Sequence, residues 1–597
     1  MQEEKALRAL IDDVREGRLP RRGFIQRLAA MGLGAPVAAQ LLMHAGVAQA
    51  ADNFVYKPTK RGGGGTLKAL YWQGPTSLQP HFAVGTKDQD ASRIFYEPLA
   101  CWDNDANLVP ILAEVIPTRE NGGLSADGKS VTWKLKKGVL WHDGKPFTAD
   151  DCVFTWEFAK DPASACVTSG VYKDVVVTKI DTHTIKVTYP KPTPFWAMPF
   201  VAAEGMVIPK HVFGPYAGAK SREAPGNLKP VGTGPYKIID FKPGDMVRGE
   251  LNANYHLPNR PFFDAIEMKG GGDATSAARA VLQTGEFDFA WNLAVEDDVL
   301  KRMEAGGKGK TVIVPSGDIE FIQLNITDPW NEVDGERASI KSRHFAFSDP
   351  AVREAMSMLV DRKGIQDHIY GRTATATSNF LNAPTRFRSG NTRYEFNIDK
   401  ANQVLDAAGW KRGADGVREK GGKKMKFVFQ TSVNTLRQKE QAVIKQSCQK
   451  AGIDLELKSV TPSVYFSSDV GNPDTYGKFW ADMQMYTTTM TQPDPERFMD
   501  QYLAREVSAK ANKWAGRNIC RWVNDEYEKI YAAAESELDP VKRAALFIRM
   551  NDLPVKDNVI IPLASRTRPY GAGNKMALVL SGWDLAFSTI HNWYRES

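Results

Sequence analysis

A run of hydroxyl side chains in the last third of the chain is the clearest group that could bind a polar molecule. It comprises Thr487, Thr488, Thr489 and Thr491. Threonine hydroxyls both donate and accept hydrogen bonds, so the run could hold a polyol, an amide or a peptide carbonyl. Because β-branched threonine also suits strands, an ordinary strand is the alternative interpretation.

Aromatic side chains flank the threonine run and could hold a ligand by stacking. Tyr486 directly precedes it, and Trp480 lies slightly further upstream. Flat rings of this kind pack against sugar faces or peptide planes. Packing in the protein core is the alternative for each ring.

The chain has no pattern typical of an enzyme or a metal site. It lacks HExxH and GxSxG, and segment 305–311 has Glu304 where a phosphate loop needs its first glycine. No two histidines after residue 50 have i, i+4 spacing. We therefore expect no catalytic residues, no metal bound by side chains alone and no cofactor. A secreted hydrolase is the alternative that any turnover would support.

Composition predicts a soluble protein of two or three domains. The chain has 597 residues, of which 42% are hydrophobic and 25% charged. The net charge of +7 is spread out rather than gathered in a basic, aromatic patch, so no nucleic-acid binding is expected. No cysteine pair has CxxC spacing, which favours buried free thiols; a Cys152–Cys166 disulfide is the alternative.

The first fifty residues are typical of a twin-arginine export signal. Arg21 and Arg22 precede an apolar run, Leu28 to Met43, and the segment ends in Ala48-Gln49-Ala50. We expect cleavage near Ala50 and a periplasmic protein. An amphipathic helix is the alternative. The glycine run 62–65 is expected to form a tether.

Local patterns place the elements that would carry these residues. Segment 425–431 reads as a strand, 436–451 as a helix, Gly452 as its left-handed cap and the residues from Ile453 as the next strand. Further signals are helix starts at Thr148 and at Asp349-Pro350, a helix over 540–550 and a strand over 559–563.

Several segments resemble one family of binding proteins. From Leu124 the chain reads LSADGKSVTWKLKKGVLWHDGKPFTADDCVFTWEF, and segments such as SLQPH, YEPL, VGTGPY, FIQLN and AAGW occur in the family's order. These segments resemble the family-5 extracytoplasmic solute-binding proteins, which serve peptide, nickel and opine ABC importers.

The resemblance implies an α/β fold, a two-lobed periplasmic-binding-protein clamshell (type II, cluster C) with an extra small domain in its first lobe. The implied boundaries are 1–50 for the export signal, 51–95, 207–318 and 565–597 for lobe one, 96–206 for the small domain, and 319–564 for lobe two. The connections between lobes would lie near 320–325 and 561–567.

The implied function is capture of a peptide or related small polar organic ligand and its delivery to ABC permease subunits with their ATPases. The protein is expected to be a monomer. An opine or oligosaccharide receptor on the same scaffold is one alternative. A sensory or chaperone-like clamshell without a transporter is another.

The resemblance also implies where ligand contacts lie. Thr491 stands where peptide-binding members place an ammonium-gripping aspartate, so Asp494 or another acid would have to replace that anchor. Thr431 falls near a carboxylate-gripping arginine, for which Arg437 could compensate. The complete set of predicted ligand contacts is Trp72, His81, Thr431, Asn434, Arg437, Trp480, Tyr486, Thr489, Thr491 and Asp494.

Overall fold

The computed structural model describes residues 54–596, except residues 84, 467–470, 491, 513 and 515. The predicted export signal lies outside the described residues and stays a prediction. Within the described part, no helix has the length and apolar character needed to cross a bilayer.

Twenty-three strands are described, many of them short. They are β1 Thr66–Tyr71, β2 Ala100–Trp102, β3 Leu108–Pro110, β4 Ser130–Lys134, β5 Val176–Asp181, β6 Thr184–Thr188, β7 Tyr236–Lys242, β8 Met246–Leu251, β9 Ala265–Gly270, β10 Phe289–Ala290, β11 Gly309–Leu324, β12 Glu332–Val333, β13 Glu336–Arg337, β14 Ala374–Ala376, β15 Lys411–Arg412, β16 Arg418–Lys420, β17 Lys423–Lys424, β18 Lys426–Ser432, β19 Asp454–Val460, β20 Met483–Thr488, β21 Ile560–Gly573, β22 Met576–Ala577 and β23 Tyr594–Arg595.

The described α-helices lie mostly between these strands. They are α1 Thr86–Arg93, α2 Ala149–Lys160, α3 Ser169–Tyr172, α4 Lys210–Phe213, α5 Ala274–Leu282, α6 Asp297–Glu304, α7 Pro350–Met358, α8 Arg362–Ile365, α9 Ile398–Ala407, α10 Thr435–Lys450, α11 Pro462–Tyr465, α12 Glu496–Met499, α13 Asp525–Ala534 and α14 Pro540–Lys556.

One sheet of eleven strands runs through both predicted lobes. Its order is β19-β18-β20-β11-β21-β10-β1-β9-β8-β7, with β14 pairing β21. The long antiparallel strands β11 and β21 form its centre and pair from Gly309↔Gly573 to Gln323↔Ile560. Both predicted lobe connections fall largely within these two strands. The register between them shifts between Pro315 and Ile319 and again next to Glu320.

The elements predicted from local patterns are confirmed. The strand–helix–strand unit appears as β18, α10 and β19, and Gly452 has a left-handed φ of +77°. Thr148 and Asp151 form a capping box at α2, and Asp349 caps α7 with Pro350 in its first turn. The strand predicted over 559–563 is longer than expected, because its backbone continues to pair with β11 as far as Gly573.

The small domain predicted over 96–206 is built on the three-stranded sheet β4-β6-β5. Val131, Trp133 and Leu135, which alternate with polar residues along this segment, are buried. Its apolar core is continuous with buried residues from the predicted second lobe, among them Phe498 and Met490. The predicted small domain therefore shares an apolar core with the predicted second lobe.

Two features differ from expectation. The glycine run is not a tether, because the backbone N–H groups of Gly63 and Gly65 donate to the Asp264 carboxylate at 2.7 and 2.8 Å. The segment 413–424, whose sequence is typical of a surface loop, contributes to the small sheet β15-β16-β17. All five cysteines are buried and unbridged, which confirms the expectation of free thiols.

The two ends of the described chain meet. The ring of Tyr594 contacts that of Tyr56 edge-on at 5.6 Å between centroids. Lys57 pairs with Glu596 at 2.9 Å. Arg595 donates to the carboxylate of Asp288 and to backbone carbonyls beside β1.

The substitution Gly232→Ala tests whether the VGTGPY segment needs glycine because its backbone packs directly against that of Phe95. A Cβ at Gly232 would lie 1.8 Å from the carbonyl oxygen of Phe95, so backbone must move. We expect a loss of at least about 2 kcal/mol in the free energy of unfolding, measured by urea denaturation. Gly390→Ala, which meets no atom within 4 Å, is the matched control and should stay within about 0.5 kcal/mol. Equal losses in the two variants would contradict this account.

Candidate functional site

A cavity of about 340 Å³ is lined by residues from the predicted small domain, the predicted first lobe and one segment of the predicted second lobe. Its aromatic lining is Trp102, Trp291, Tyr570 and Trp583. Its charged lining is Glu204, Asp318, Arg568 and Asp584. Its uncharged polar lining is Thr86, Gln89, Asn292, Thr489 and Gln492.

Strand ends position much of this lining. Trp291 and Asn292 directly follow the end of β10, and Thr489 directly follows the end of β20. Both strands have a parallel neighbour, β1 and β18 respectively. Ligand sites in open α/β sheets form at the carboxyl ends of such strands, so the cavity lies where this topology places a binding site.

The central strands contribute an ion pair to the cavity. Asp318 lies in the part of β11 where the register shifts, and Arg568 lies on β21. The guanidinium Nη2 and Nε of Arg568 lie 3.2 and 3.3 Å from the Asp318 carboxylate oxygens. Burial lowers the pKa of Arg568, but the attraction of Asp318 and other neighbours outweighs it and leaves the net pKa raised. Arg568 therefore remains charged and is neutralised by its partner.

Asp584 is held by neutral donors rather than by a cation. Its carboxylate accepts the backbone N–H groups of Trp102 at 3.1 Å and Leu585 at 2.7 Å. Burial raises the pKa of Asp584 to about 6, while these hydrogen bonds act in the opposite direction. The Asp584 carboxylate is therefore largely ionised at neutral pH.

Glu204 is the other acid that lacks a cation partner. It lies on a short turn, residues 203–205, and is half-buried. Its carboxylate forms no hydrogen bond or ion pair with another described residue. Burial raises its pKa, and the more distant charge of Arg497 opposes that rise.

Two predicted ligand contacts lie at or beside the cavity. Thr489 lines it. Trp72 adjoins it, because its indole N–H donates to the carbonyl oxygen of Asn292 at 3.0 Å and its ring packs 5.7 Å from that of Trp291. Thr491 lies outside the described residues.

Three others lie away from the cavity lining. His81 is fully buried, with Nδ1 2.7 Å from the Thr168 hydroxyl, and burial lowers its pKa to about 4. Asp494 pairs with Arg543, whose Nη2 lies 3.0 Å from Oδ1. The ring of Trp480 lies beside the cations of Arg337 and Lys478.

The remaining four make structural contacts in lobe two. The hydroxyl of Thr431 donates to a backbone carbonyl on β20, and Asn434 caps α10. Arg437 pairs with the buried Glu320, with Nε 2.7 Å from Oε1. Tyr486 packs against the ring of Phe321. A ligand contact by any of these residues stays a prediction.

The sequence interpretation missed most of the charged lining. Glu204, Asp318, Arg568 and Asp584 come from distant parts of the chain, and no motif joins them. The only local signals were that Asp318 lies two residues before one predicted lobe connection and that Arg568 directly follows the other. Residues of this kind are recognised only once the sheet brings them together.

Comparison with known proteins gives one family match and several relatives. Residues 107–509 match the family described as bacterial extracellular solute-binding proteins, family 5 Middle. The chain is 30% identical to the oligopeptide-binding protein AppA of Bacillus subtilis over 396 residues, 65% of this chain and 67% of AppA. It is 27% identical to the glutathione-binding protein GsiB of Escherichia coli K12 over 339 residues, 57% of this chain and 60% of GsiB.

Solved structures show the same fold. The substrate-binding protein CtaP of Listeria monocytogenes has a TM-score of 0.73 at 22% identity, covering 89% of this chain and 100% of CtaP. The structure of AppA with a nonapeptide has a TM-score of 0.70 at 23% identity, covering 91% of this chain and 100% of AppA. The predicted α/β two-lobed clamshell is confirmed.

Asp90→Asn should change how stability depends on pH. Asp90 lies behind the cavity, where its carboxylate accepts Phe587 N–H at 2.9 Å and Tyr71 O–H at 3.0 Å. Burial raises its pKa from 3.8 to about 7. The folded state therefore holds the proton more tightly than the unfolded state, and stability falls as pH rises towards 7.

We expect the free energy of unfolding of the wild type to fall relative to that of Asp90→Asn by up to about 1.4 kcal/mol per pH unit between about pH 5 and about pH 7. Denaturation midpoints across that range measure the difference. Asp298→Asn, at a side chain 84% exposed, is the control and should follow the wild type. If the free energy of unfolding depends on pH in the same way for the wild type and both variants, Asp90 does not titrate in this range.

Proposed function

The chain belongs to the bacterial extracellular solute-binding proteins of family 5, and on this premise we propose that it is the substrate-binding component of an ABC importer. In this proposal the protein captures a peptide or a related small polar organic ligand in the cavity between its lobes. It then delivers the ligand to the membrane permease.

The cavity is the observation that carries this proposal. Its volume, about 340 Å³, falls near the lower end of the range of about 300–1,000 Å³ typical of small-molecule sites. Aromatic rings and polar groups line it together, as peptide planes and amides require. AppA and GsiB are named for binding oligopeptides and glutathione, which supports a peptide-like ligand of small size.

We expect the two lobes to close on the ligand, because the cavity lining is divided between them. Thr489 and Gln492 approach from the second lobe, whereas Trp291, Arg568 and Trp583 belong to the first. The amide of Gln492 also lies 3.9 Å from the sulfur of Met198 in the small domain. A ligand that touches both sides stabilises only the closed arrangement, and that difference in affinity drives closure.

Export and domain boundaries complete the proposal. We propose that residues 1–50 direct export by the twin-arginine route to the periplasm, with cleavage near Ala50. The lobes and small domain follow the predicted boundaries, with β11 and β21 as the connections. The family consists of binding proteins, so we expect no turnover of the ligand.

The ligand range follows from the relatives. Neither AppA nor GsiB is an opine or sugar receptor by name, so the peptide-like interpretation is preferred to that alternative. The protein is expected to act as a monomer that docks on its permease.

Ligand capture is tested with protein freshly purified from the periplasm, the compartment proposed above. Native mass spectrometry should detect a retained small molecule. After removal of that molecule, short peptides should raise the melting temperature and reduce the radius of gyration measured by solution scattering. If no peptide or metabolite in a broad panel changes either quantity, the proposal fails.

Thr489→Ala should weaken binding of the compound found in this way. Loss of one hydrogen bond from the second lobe should raise the Kd roughly 2- to 10-fold, measured by tryptophan fluorescence titration. Thr275→Ala, at an exposed threonine on α5, is the matched control and should leave the Kd unchanged. Equal Kd values for both variants and the wild type would exclude Thr489 from the site.

A further inference from the structure

The cavity carries more negative than positive charge. Asp318 and Arg568 neutralise each other. Glu204 and Asp584 remain, and neither forms an ion pair with a described residue. Asp584 is only 8% exposed. Removing a carboxylate from water costs free energy unless a cation compensates its charge. A cavity with two unpaired acids therefore favours a positively charged ligand.

The cavity wall also contains donors that lack acceptors. Trp583 and Trp102 are 5% and 6% exposed, and both line the cavity. Neither indole N–H donates to a described residue, whereas that of Trp72, just outside the cavity, donates to Asn292. An indole N–H can only donate. Neither of these two nitrogens is fully buried, so each is accessible to a bound molecule. The free groups therefore suit oxygen atoms of a bound molecule.

We propose that the ligand is a small organic cation, whose ammonium or guanidinium group lies against Glu204 and Asp584 while its carbonyl or carboxylate oxygens accept from the indole N–H groups of Trp583 and Trp102. This inference rests on the proposed function and narrows its ligand class. A basic dipeptide or an amino-acid amide has the required chemistry.

The remaining lining favours the same class. The wall contains four aromatic rings, and a cation placed over the face of such a ring is attracted to it. The guanidinium of Arg568 is paired with Asp318. Burial raises the pKa of Asp584 and the charges of Arg93 and Arg568 lower it, but neither arginine forms an ion pair with Asp584 or with Glu204. An acidic ligand would meet like charge in a partly desolvated site and be rejected.

The experiment uses low-molecular-mass extract of cells, separated at about neutral pH into compounds retained by a cation exchanger, compounds retained by an anion exchanger and compounds retained by neither. Each fraction is added to the ligand-free protein, and the melting temperature is measured. We expect the cation-exchange fraction to raise it most. The active compound is then purified and titrated.

Glu204→Gln and Asp584→Asn should each raise the Kd of that compound roughly 30-fold or more, because each leaves the bound cation with one anion fewer. The ligand-free Glu204→Gln protein should melt no lower than the wild type, since the substitution removes an unpaired charge. Glu286→Gln, at an exposed glutamate, is the matched control and should bind as the wild type does.

The outcomes separate this inference from the function on which it rests. The inference is overturned if the anionic or the neutral fraction raises the melting temperature most. It is also overturned if the Kd is unchanged in both cavity variants. Either result leaves solute binding intact. If no fraction stabilises the protein, the proposed function is contradicted, and the inference with it.

Discussion

The backbone pairing between β11 and β21 is the constraint on which the rest of the molecule depends. Each strand runs from one predicted lobe into the other. The hydrogen bonds between them therefore pair backbone N–H and C=O groups of both predicted lobes. Between Pro315 and Ile319 one strand has more residues than its partner, and the ladder is interrupted. Such irregularities redirect side chains, and here Asp318 lies in the interruption and meets Arg568 at the cavity.

The charges near these strands are divided between two tasks. Glu320, one pairing step beyond the interruption, is fully buried and compensated by Arg437 and Arg566. Thr487 accepts hydrogen bonds from both of these arginines, so this hydroxyl supports the ion cluster. Glu320 is therefore compensated by neighbouring arginines, whereas Glu204 and Asp584 at the cavity form no ion pair with a described residue. On β11 the cavity residue Asp318 and the structural residue Glu320 are only two positions apart, yet each is paired with a different arginine.

Elements that depend on short-range signals could be predicted from the sequence. The caps at Thr148, Asp349 and Gly452 act within one helical turn, and their residue types indicate them directly. The fold followed from a resemblance rather than from periodicity. The site could not be predicted in the same way, because Glu204 and Asp584 are 380 positions apart in the sequence and line one cavity only after the chain has folded. The threonine run shows that residue type alone does not separate ligand contacts from structural ones. Thr489 lies beyond the strand end and lines the cavity, whereas Thr487 accepts hydrogen bonds from Arg437 and Arg566.

The meeting of Tyr56 with Tyr594 has a consequence for how the molecule can be rearranged. Because both ends of the described chain lie side by side on the first lobe, a short linker can join them without distorting either lobe. New termini could then be opened in a surface segment such as the exposed turn at Gly421 and Gly422. A circular permutant of this kind would place a fluorescent reporter on the moving lobe and convert ligand capture into an optical signal.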